Sequence, residues 1–452
     1  MNSEKPKRVY HPVYGEGELL RTRNKGFEAL IEFDRNLRLW IRTDELKIME
    51  EPSLSSQFPV SVPSKQEEGI KTIPSTSKEC FKARRIIEAL RLGIVPTDCI
   101  TEFTFGRDRE ISTILDWLHL KSANENVLFL FGEYGLGKTH LLHYIAEVAL
   151  RKGFATAIVE LDHSEVPLFK PKRVFNRIAL NFKYISPKDG KLKGFREFMQ
   201  EVLWEGGFED HFYFGKINEH LNKFDEKYIW EWIECRESYP RPLYKDFMGR
   251  IKEYPSYSYF PPLYEEQTAA NIYCYLLSGL GWAAVNLLGL RGFLVEFDEA
   301  ESIDIARYYR QLLMGRNLLK ALMRIANNDE SLTKKPSLNL GLDYCAIGEA
   351  SRIPFLYRIP SGLKLVFAFT HTIQEREDVK HIVELSPLSE NAKQDIMDCL
   401  KSLYEKAYSK TLQIDIMQEQ LANISGRDME ITRFFTKGVV EYLDLERLKH
   451  KL

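Results

Sequence analysis

The chain has 452 residues, 44% of them hydrophobic and 28% charged, with 63 Lys and Arg against 65 Asp and Glu. That length suits two or three domains and a sizeable core, and a formal net charge of −2 excludes a global basic field for holding nucleic acid, leaving only a local patch. The six cysteines show no two-residue spacing, which argues against a zinc site and for a reducing cytoplasm; the polar start MNSEKPKRVYHP lacks a secretory pattern, and the longest apolar region, Ile272 to Phe297, is broken by Ser, Gly, Asn and Arg, so no membrane span is expected.

Residues 1–48 read as a small β module. Arg8 to His11, Glu18 to Thr22, Phe27 to Phe33 and Leu37 to Arg42 are short, partly alternating segments separated by Gly, Asn and Asp turn signals. Four or five strands in so few residues predict an SH3-like or Tudor-like barrel. Residues 49–79, with Pro52, Pro59, Pro63 and Pro74 among many serines, read as a flexible tether. From residue 80 the pattern changes to amphipathic helices alternating with short apolar runs: helix Phe81 to Leu92, helix Arg107 to Leu118, strand Asn126 to Phe131, helix Thr139 to Lys152 and strand Phe154 to Leu161. A mostly helical insertion (about 165–285) follows, rich in aromatics that read as core and partner surface more than as base-stacking platforms. Strands at Gly292 to Phe297, Leu363 to Phe369 and His381 to Leu385 come next, then helices at Glu390 to Lys406, Ile414 to Ile424 and Asp428 to Leu443. The alternation predicts an α/β fold with a parallel sheet: a phosphate-loop core over 80–389 and a C-terminal helical lid over 390–452.

Residues 132–139 read GEYGLGKT, the pattern G-x-x-x-x-G-K-[ST], between a strand and a helix. Gly132, Gly135 and Gly137 let the backbone between them (Glu133, Tyr134, Leu136) curl so that its N–H groups face phosphates; the helix start through His140 adds partial positive charge. Lys138 is placed to neutralise phosphate oxygens and the Thr139 hydroxyl to ligate Mg²⁺, so ATP with Mg²⁺ is the expected ligand. Residues 293–299, FLVEFDE, form an apolar run ending in two acids, with Asp298 the expected metal ligand and Glu299 the expected base that polarises water. Glu296 breaks the apolar run on the same face as Asp298, calling for a basic partner or a place in the metal's outer shell.

Beyond these, Thr370 and His371 follow the strand LKLVFAF, where a polar residue can sense the γ-phosphate, with Thr372 behind them. Arg376 is the candidate arginine finger, with Arg352 and Arg358 as competitors. Arg427 and Arg433 are candidate lid arginines. Gly106 and Arg107, in FGRDRE, are placed for the adenine ring.

The segments 84–96 (RRIIEALRLGIVP), 105–110 (FGRDRE), 132–140 (GEYGLGKTH), 268–274 (TAANIYC), 277–283 (LSGLGWA), 297–301 (FDEAE) and 353–364 (IPFLYRIPSGLK) together resemble the ATP-binding proteins of BREX phage-defence systems, of the BrxD type. The resemblance covers about 80–452. It implies an AAA+-type ATPase in a bacterial or archaeal defence island beside a helicase, and supplies no reaction on DNA. Residues 8–19 (RVYHPVYGEGEL) and 27–34 (FEALIEFD) resemble the Tudor-like modules of CarD-type regulators and UvrD-type helicases, which dock on RNA polymerase in those relatives. Ten basic and nine acidic side chains over residues 1–50 suit a protein partner better than a phosphate backbone.

Two functions fit this sequence. One is an energy-transducing ATPase, a homo-oligomer or mixed assembly that remodels or loads a DNA-processing complex. The other is an ATP-gated scaffold of low turnover whose N-terminal module recruits a partner. DNA itself stays open as a partner, since no basic patch stands out.

Overall fold

The computed structural model of the chain describes residues 8–11, 15–23, 28–33, 37–42, 47–48, 76–221, 226–236, 261–265, 269–334, 355, 357–408 and 431–449. The chain divides into two units, Met1–Thr72 and Ile73–Leu452. In the first, β1 (Arg8–His11), β2 (Gly15–Arg23), β3 (Glu28–Phe33), β4 (Leu37–Arg42) and β5 (Lys47–Ile48) pair antiparallel in the order β4-β3-β2-β1-β5. The ladder of β2 with β3 shifts register between Leu19 and Arg21, and Val9, Ala29 and Ile31 are buried.

The second unit is α/β. Its helices and strands run α1 (Thr76–Leu92), α2 (Asp108–His119), β6 (Val127–Phe131), α3 (Lys138–Arg151), β7 (Ala155–Glu160), α4 (Pro171–Asn181), a short hairpin β8 (Tyr184–Ile185) and β9 (Leu192–Lys193), α5 (Phe195–Trp204), α6 (Phe214–Leu221), α7 (Glu226–Ile233), α8 (Ala269–Asn286), β10 (Phe293–Asp298), α9 (Tyr309–Ala326), α10 (Ser331–Lys334), β11 (Leu363–Phe369), β12 (His381–Glu384), α11 (Glu390–Tyr408) and α12 (Thr432–Lys449). Five strands form a parallel sheet in the order β12-β6-β11-β10-β7. The phosphate-loop strand β6 therefore lies between β12 and β11, and the acid-bearing strand β10 stands one strand further on.

Both faces of the sheet are covered, which is why its strands read as continuous apolar runs. On one face Leu128, Leu130, Leu294, Val366 and Ala368 pack with Ile114 and Trp117 of α2 and Leu141, Leu142 and Ile145 of α3. On the other, Phe129, Phe131, Phe297, Phe367 and Phe369 pack with α4, α8 and α9. The phenylalanines form a cross-strand ladder: Phe297 stacks on Phe367 at 4.6 Å, Phe131 stacks on Phe369 at 5.6 Å, and Phe129 meets Phe369 edge-on at 5.1 Å. Such pairs add to area burial and fix the register of neighbouring strands. Lys364 is a charged member of this buried set. Its ammonium donates to the carbonyls of Trp117 and Leu120 at the end of α2, at 3.1 and 3.2 Å, and to Asn126 Oδ1 at 3.3 Å. A cation there complements the negative end of the helix. Burial nevertheless pushes its pKa down to about 8.

The insertion holds the hairpin β8–β9, which the aromatic-rich helical pattern does not announce. Its described aromatics are largely core: Phe208, Tyr213, Phe214, Trp230 and Trp232 are buried, while Trp204 is exposed. Expected helix Ile414 to Ile424 lies outside the described residues, as do Tyr239, Tyr244 and the aromatics at 254–260. A third hydrophobic cluster joins α1 to α11 and α12 through Ile86, Ile87, Leu90, Ile396, Leu400, Phe435 and Val439. Thus α1 packs with α11 and α12, the last two helices among the described residues, a grouping that chain order does not display. Among the described residues no helix is long and apolar enough to cross a membrane.

Helix α8 passes very close to the loop that leads into β11. A Cβ on Gly281 would lie 2.3 Å from the carbonyl oxygen of Ser361 and 2.9 Å from Leu363 Cδ2. Backbone cannot yield there as a flexible side chain can, so Gly281→Ala is expected to destabilise the unit by about 1–3 kcal/mol. Thermal unfolding of the variant should show a lower Tm; an unchanged Tm would mean that α8 does not approach the loop this closely.

Candidate functional site

Parallel strands carry their ligand sites at their C-terminal ends, where strand order reverses. Here β6 leads to the phosphate loop, β11 to Thr370, β10 to Asp298 and Glu299, and β7 to Glu160, which stands in register with Asp298. The loop leaves β6 with the Gly132 N–H donating to the Phe369 carbonyl at 3.1 Å. Gly135 and Gly137 then take φ of +81° and +100°, a region that side chains disfavour, and α3 begins at Lys138. The Lys138 ammonium folds back over the loop and donates to the Gly132 carbonyl at 2.8 Å.

One contact joins the two motifs. The Thr139 hydroxyl donates to Asp298 Oδ2 at 2.6 Å. The other oxygen, Oδ1, accepts from the Glu299 N–H at 3.0 Å. A hydroxyl and a carboxylate held this close are the pair of oxygen ligands expected for Mg²⁺, which prefers one or two carboxylates plus phosphate and water to a dedicated cage. Among the described residues no group of three or more His, Cys, Asp or Glu side chains is arranged to hold a metal ion.

Glu299 is left-handed, with φ 55° and ψ 37°, and is half-buried. A non-glycine residue in that conformation carries strain that surrounding structure must hold. Burial pushes its pKa up to about 7, with Glu301 and then Asp298 adding to the rise and Lys138 opposing it. Glu301 is buried, and its Oε2 has no hydrogen-bond partner among the described residues. Glu296 is completely buried on the face that carries Asp298, and neither of its oxygens has a hydrogen-bond partner among the described residues. No basic partner is found for it there. Burial, reinforced by Asp298, raises its pKa well above the carboxylate range, so it stands as a neutral acid.

A cavity of about 610 Å³ opens over these groups. Its polar end is lined by Tyr134 to Thr139, Glu160, Asp298 and Glu299, with His143 beside them; its apolar end is lined by Leu90, Ile94 to Pro96, Phe103, Phe105, Leu388 and Ile396. A polar floor for phosphates and an apolar slot for a base fit one nucleotide. The slot comes from the cluster that joins α1 to the C-terminal helices.

Arg107 lines the cavity but is engaged within the protein. Its guanidinium donates to the carbonyls of Leu136 in the phosphate loop at 2.9 Å and Ser386 after β12 at 2.8 Å, and it pairs with Glu110. Gly106 is not part of the lining. Its φ is +63°, and a Cβ there would meet Ala392 Cβ at 2.4 Å, so the glycine serves the close approach of α11. His140 lies in the wall. The Thr104 hydroxyl donates to the Ile100 carbonyl, so His140 Nε2–H donates to Thr104 Oγ1, at 2.8 Å. Burial lowers its pKa to about 4 and keeps it neutral.

The start of α12 sits directly on the loop. The Arg433 N–H donates to the Gly135 carbonyl at 3.1 Å, and its guanidinium donates to Tyr134 Oη at 2.6 Å. Arg433, Thr432 and Thr436 line the cavity; Arg427 lies outside the described residues. Glu160, His143, Thr432 and Thr436 were not singled out by sequence. Only Glu160 left a signal, as the polar end of an apolar run.

The remaining candidates stand apart from the cavity. Thr370 approaches His371 Nδ1 at 3.3 Å, and His371 Nε2 meets Asp304 at 3.1 Å. Arg376 pairs with Glu384 at 2.5 Å and lies over the Phe131 ring at 5.4 Å. Arg358 pairs with Asp210 and covers Trp282, and Arg352 lies outside the described residues.

Residues 80–199 match the family model for the BREX system ATP-binding protein BrxC/D. The match takes in the phosphate loop and ends within α5, so β10 and β11 fall outside it. This likeness to a BREX ATP-binding family supports ATP as the ligand and suggests a role in phage defence beside other proteins of such a system. No curated protein matches the chain.

The Glu299 environment sets a pH dependence. A carboxyl raised to about 7 makes the folded protein hold a proton that the unfolded chain releases near the ordinary carboxylate range. The stabilisation is complete below that range and is lost as pH rises through about 7. Glu299→Gln cannot ionise, so in nucleotide-free protein the Tm of the variant relative to wild type should rise between pH 5 and pH 8. Equal differences at both pH values would mean that Glu299 ionises normally.

Proposed function

We propose that this chain is an AAA+-like ATPase of a BREX-type phage-defence system, working beside a helicase to load or remodel a DNA-processing complex in the cytoplasm. The observation that carries the reading is the Thr139–Asp298 hydrogen bond at 2.6 Å with Glu299 next in the chain. The N–H groups of residues 132–139 and Lys138 would hold the phosphates, Thr139 and Asp298 the Mg²⁺, and Arg433 would answer to the nucleotide from above. Bound Mg²⁺ would neutralise charge on the phosphates. Glu299 would take the proton of the attacking water, for which a pKa near 7 suits a base working at neutral pH. Thr370, His371 and Arg376 would act as γ-phosphate sensors and finger only across a subunit boundary or after a local rearrangement, since their present partners are Asp304 and Glu384. The N-terminal module, in this reading a Tudor-like barrel on a tether, would bind RNA polymerase or another protein.

A specific observation favours a second reading. Arg107 and Arg433 are the cavity's lining arginines, and both are already bonded to the loop that they face. An arginine-braced site of this kind suits an ATP-gated scaffold with slow turnover.

Turnover separates the two. Wild type and Glu299→Gln are measured for ATP binding and hydrolysis, alone and with duplex DNA, single-stranded DNA and the neighbouring helicase. The ATPase reading expects unchanged binding and hydrolysis slower by about 10²-fold or more, the scale of removing a positioned base. Lys138→Ala should lose binding as well. Wild type that binds ATP yet never exceeds the Gln variant would establish the scaffold instead.

A further inference from the structure

Five residues beyond Glu299 the chain turns outward. Residues 304–310, DIARYYR, join the short 3-10 turn Ala300–Ile305 to α9, and all but Ala306 are exposed. Ile305 is 62% exposed, Tyr308 58% and Tyr309 74%, whereas the phenylalanines of the sheet itself are buried. The Arg307 guanidinium lies over the Tyr308 ring at 5.5 Å. Neither Arg307 nor Arg310 has a carboxylate partner among the described residues. Asp304, the one acid of the turn, is already satisfied: it pairs with Arg316 at 3.1 Å and with His371 at 3.1 Å. These bonds fasten the base of the turn to α9 and to the end of β11. What it presents outward is two rings flanked by two cations.

We infer that this turn is a contact site for single-stranded nucleic acid, with Tyr308 and Tyr309 stacking on bases and Arg307 and Arg310 meeting phosphates. Two adjacent exposed rings flanked by guanidinium groups offer faces on which bases can stack beside cations that can meet the phosphates joining them. An apolar protein partner fits less well. The three exposed apolar side chains offer on the order of 350 Å², under half of the roughly 800 Å² per partner that a stable interface buries. Charge decides the same way: the two unpaired guanidinium groups complement a polyanion and would repel each other's counterpart on a second copy of the chain. The turn follows directly from the strand that bears Asp298 and Glu299, so a bound strand would press on the element that sets those carboxylates. The inference deepens the proposed function by naming the nucleic acid, yet binding at the turn does not require that ATP be hydrolysed.

The test uses the full chain and a fluorescein-labelled thirty-nucleotide oligothymidylate, with binding followed by anisotropy across a salt series. A duplex of equal length and unlabelled heparin serve as competitors. The expected result is that Tyr308→Ala/Tyr309→Ala weakens binding about tenfold or more, that Arg307→Ala/Arg310→Ala lowers the salt slope by about 1–1.5, and that Trp204→Ala changes neither. All three variants should keep wild-type ATP binding, since none lies in the cavity. Wild type that does not bind the oligonucleotide, or binds it equally with all variants, would overturn the site. So would a tyrosine variant that binds normally while the arginine variant fails and heparin competes as well as the strand, which would leave only a polyanion contact. A tyrosine variant that lowers the sedimenting mass and leaves oligonucleotide binding unchanged would assign the turn to self-association.

Discussion

The hydrogen bond from Thr139 to Asp298 ties together two segments far apart in sequence, and much of the architecture serves it. For the two side chains to meet, the strands that carry them must end at the same level with one strand between them. The order β6-β11-β10 provides the spacing, and the phenylalanine ladder over those strands provides the level. The ladder is therefore part of the site's geometry: a slip of one residue in β10 would turn Asp298 to the opposite face and replace it with Phe297. The Gly132 N–H, bonded to the last carbonyl of β11, fixes where the loop departs.

Around this floor the walls come from helices distant in sequence. The apolar slot is made where α1 meets α11 and α12, which together build one half of the cavity. Arg107 braces the loop against the segment after β12, while Arg433 holds α12 to the same loop by its backbone and its side chain. A change in how phosphates fill the loop therefore reaches the C-terminal helices through two short hydrogen-bonded paths. Gly135 sharpens this coupling, because a Cβ there would run into Ile431 at 2.4 Å.

Local chemistry was legible in the sequence and long-range packing was not. The strand–loop–helix over 127–151 and the strand LKLVFAF lie where the sequence places them because each is a contiguous signal, glycine spacing in one and a nearly unbroken apolar run in the other. Alternation placed Glu296 on the face of Asp298, and the structure agrees. The reason for Gly106 was out of reach: it lies in Ala392, a residue of a distant helix. Arg107 shows the same limit, since besides Glu110 its partners are backbone carbonyls that no side-chain pattern reveals. Lys364 read as one more member of a buried strand, and only the end of α2 beside it explains a cation there. The two-residue strands β8 and β9 are too short for any periodicity to register.

The carboxylates of β10 and the turn after it complete the physical picture. Glu296, Asp298, Glu299 and Glu301 stand at alternate or adjacent positions, three of them buried and Glu299 half-buried, and closely spaced like charges raise the cost of ionising Glu296 and Glu299. The structure distributes the charge unequally. Glu296, wholly buried, is held neutral, while Asp298 accepts from Thr139 and from a backbone N–H. Glu299 is half-buried: burial first, then Glu301 and Asp298, raise its pKa to about 7, and Lys138 opposes the rise. Because its opposing neighbours include the phosphate-loop lysine, anything that redirects Lys138 from the Gly132 carbonyl toward or away from Glu299 alters how readily that carboxyl accepts a proton. Depth of burial thus sets Glu296 and Glu299 apart: the first is held neutral within the sheet, and the second, half-buried, lines the cavity with a pKa of about 7.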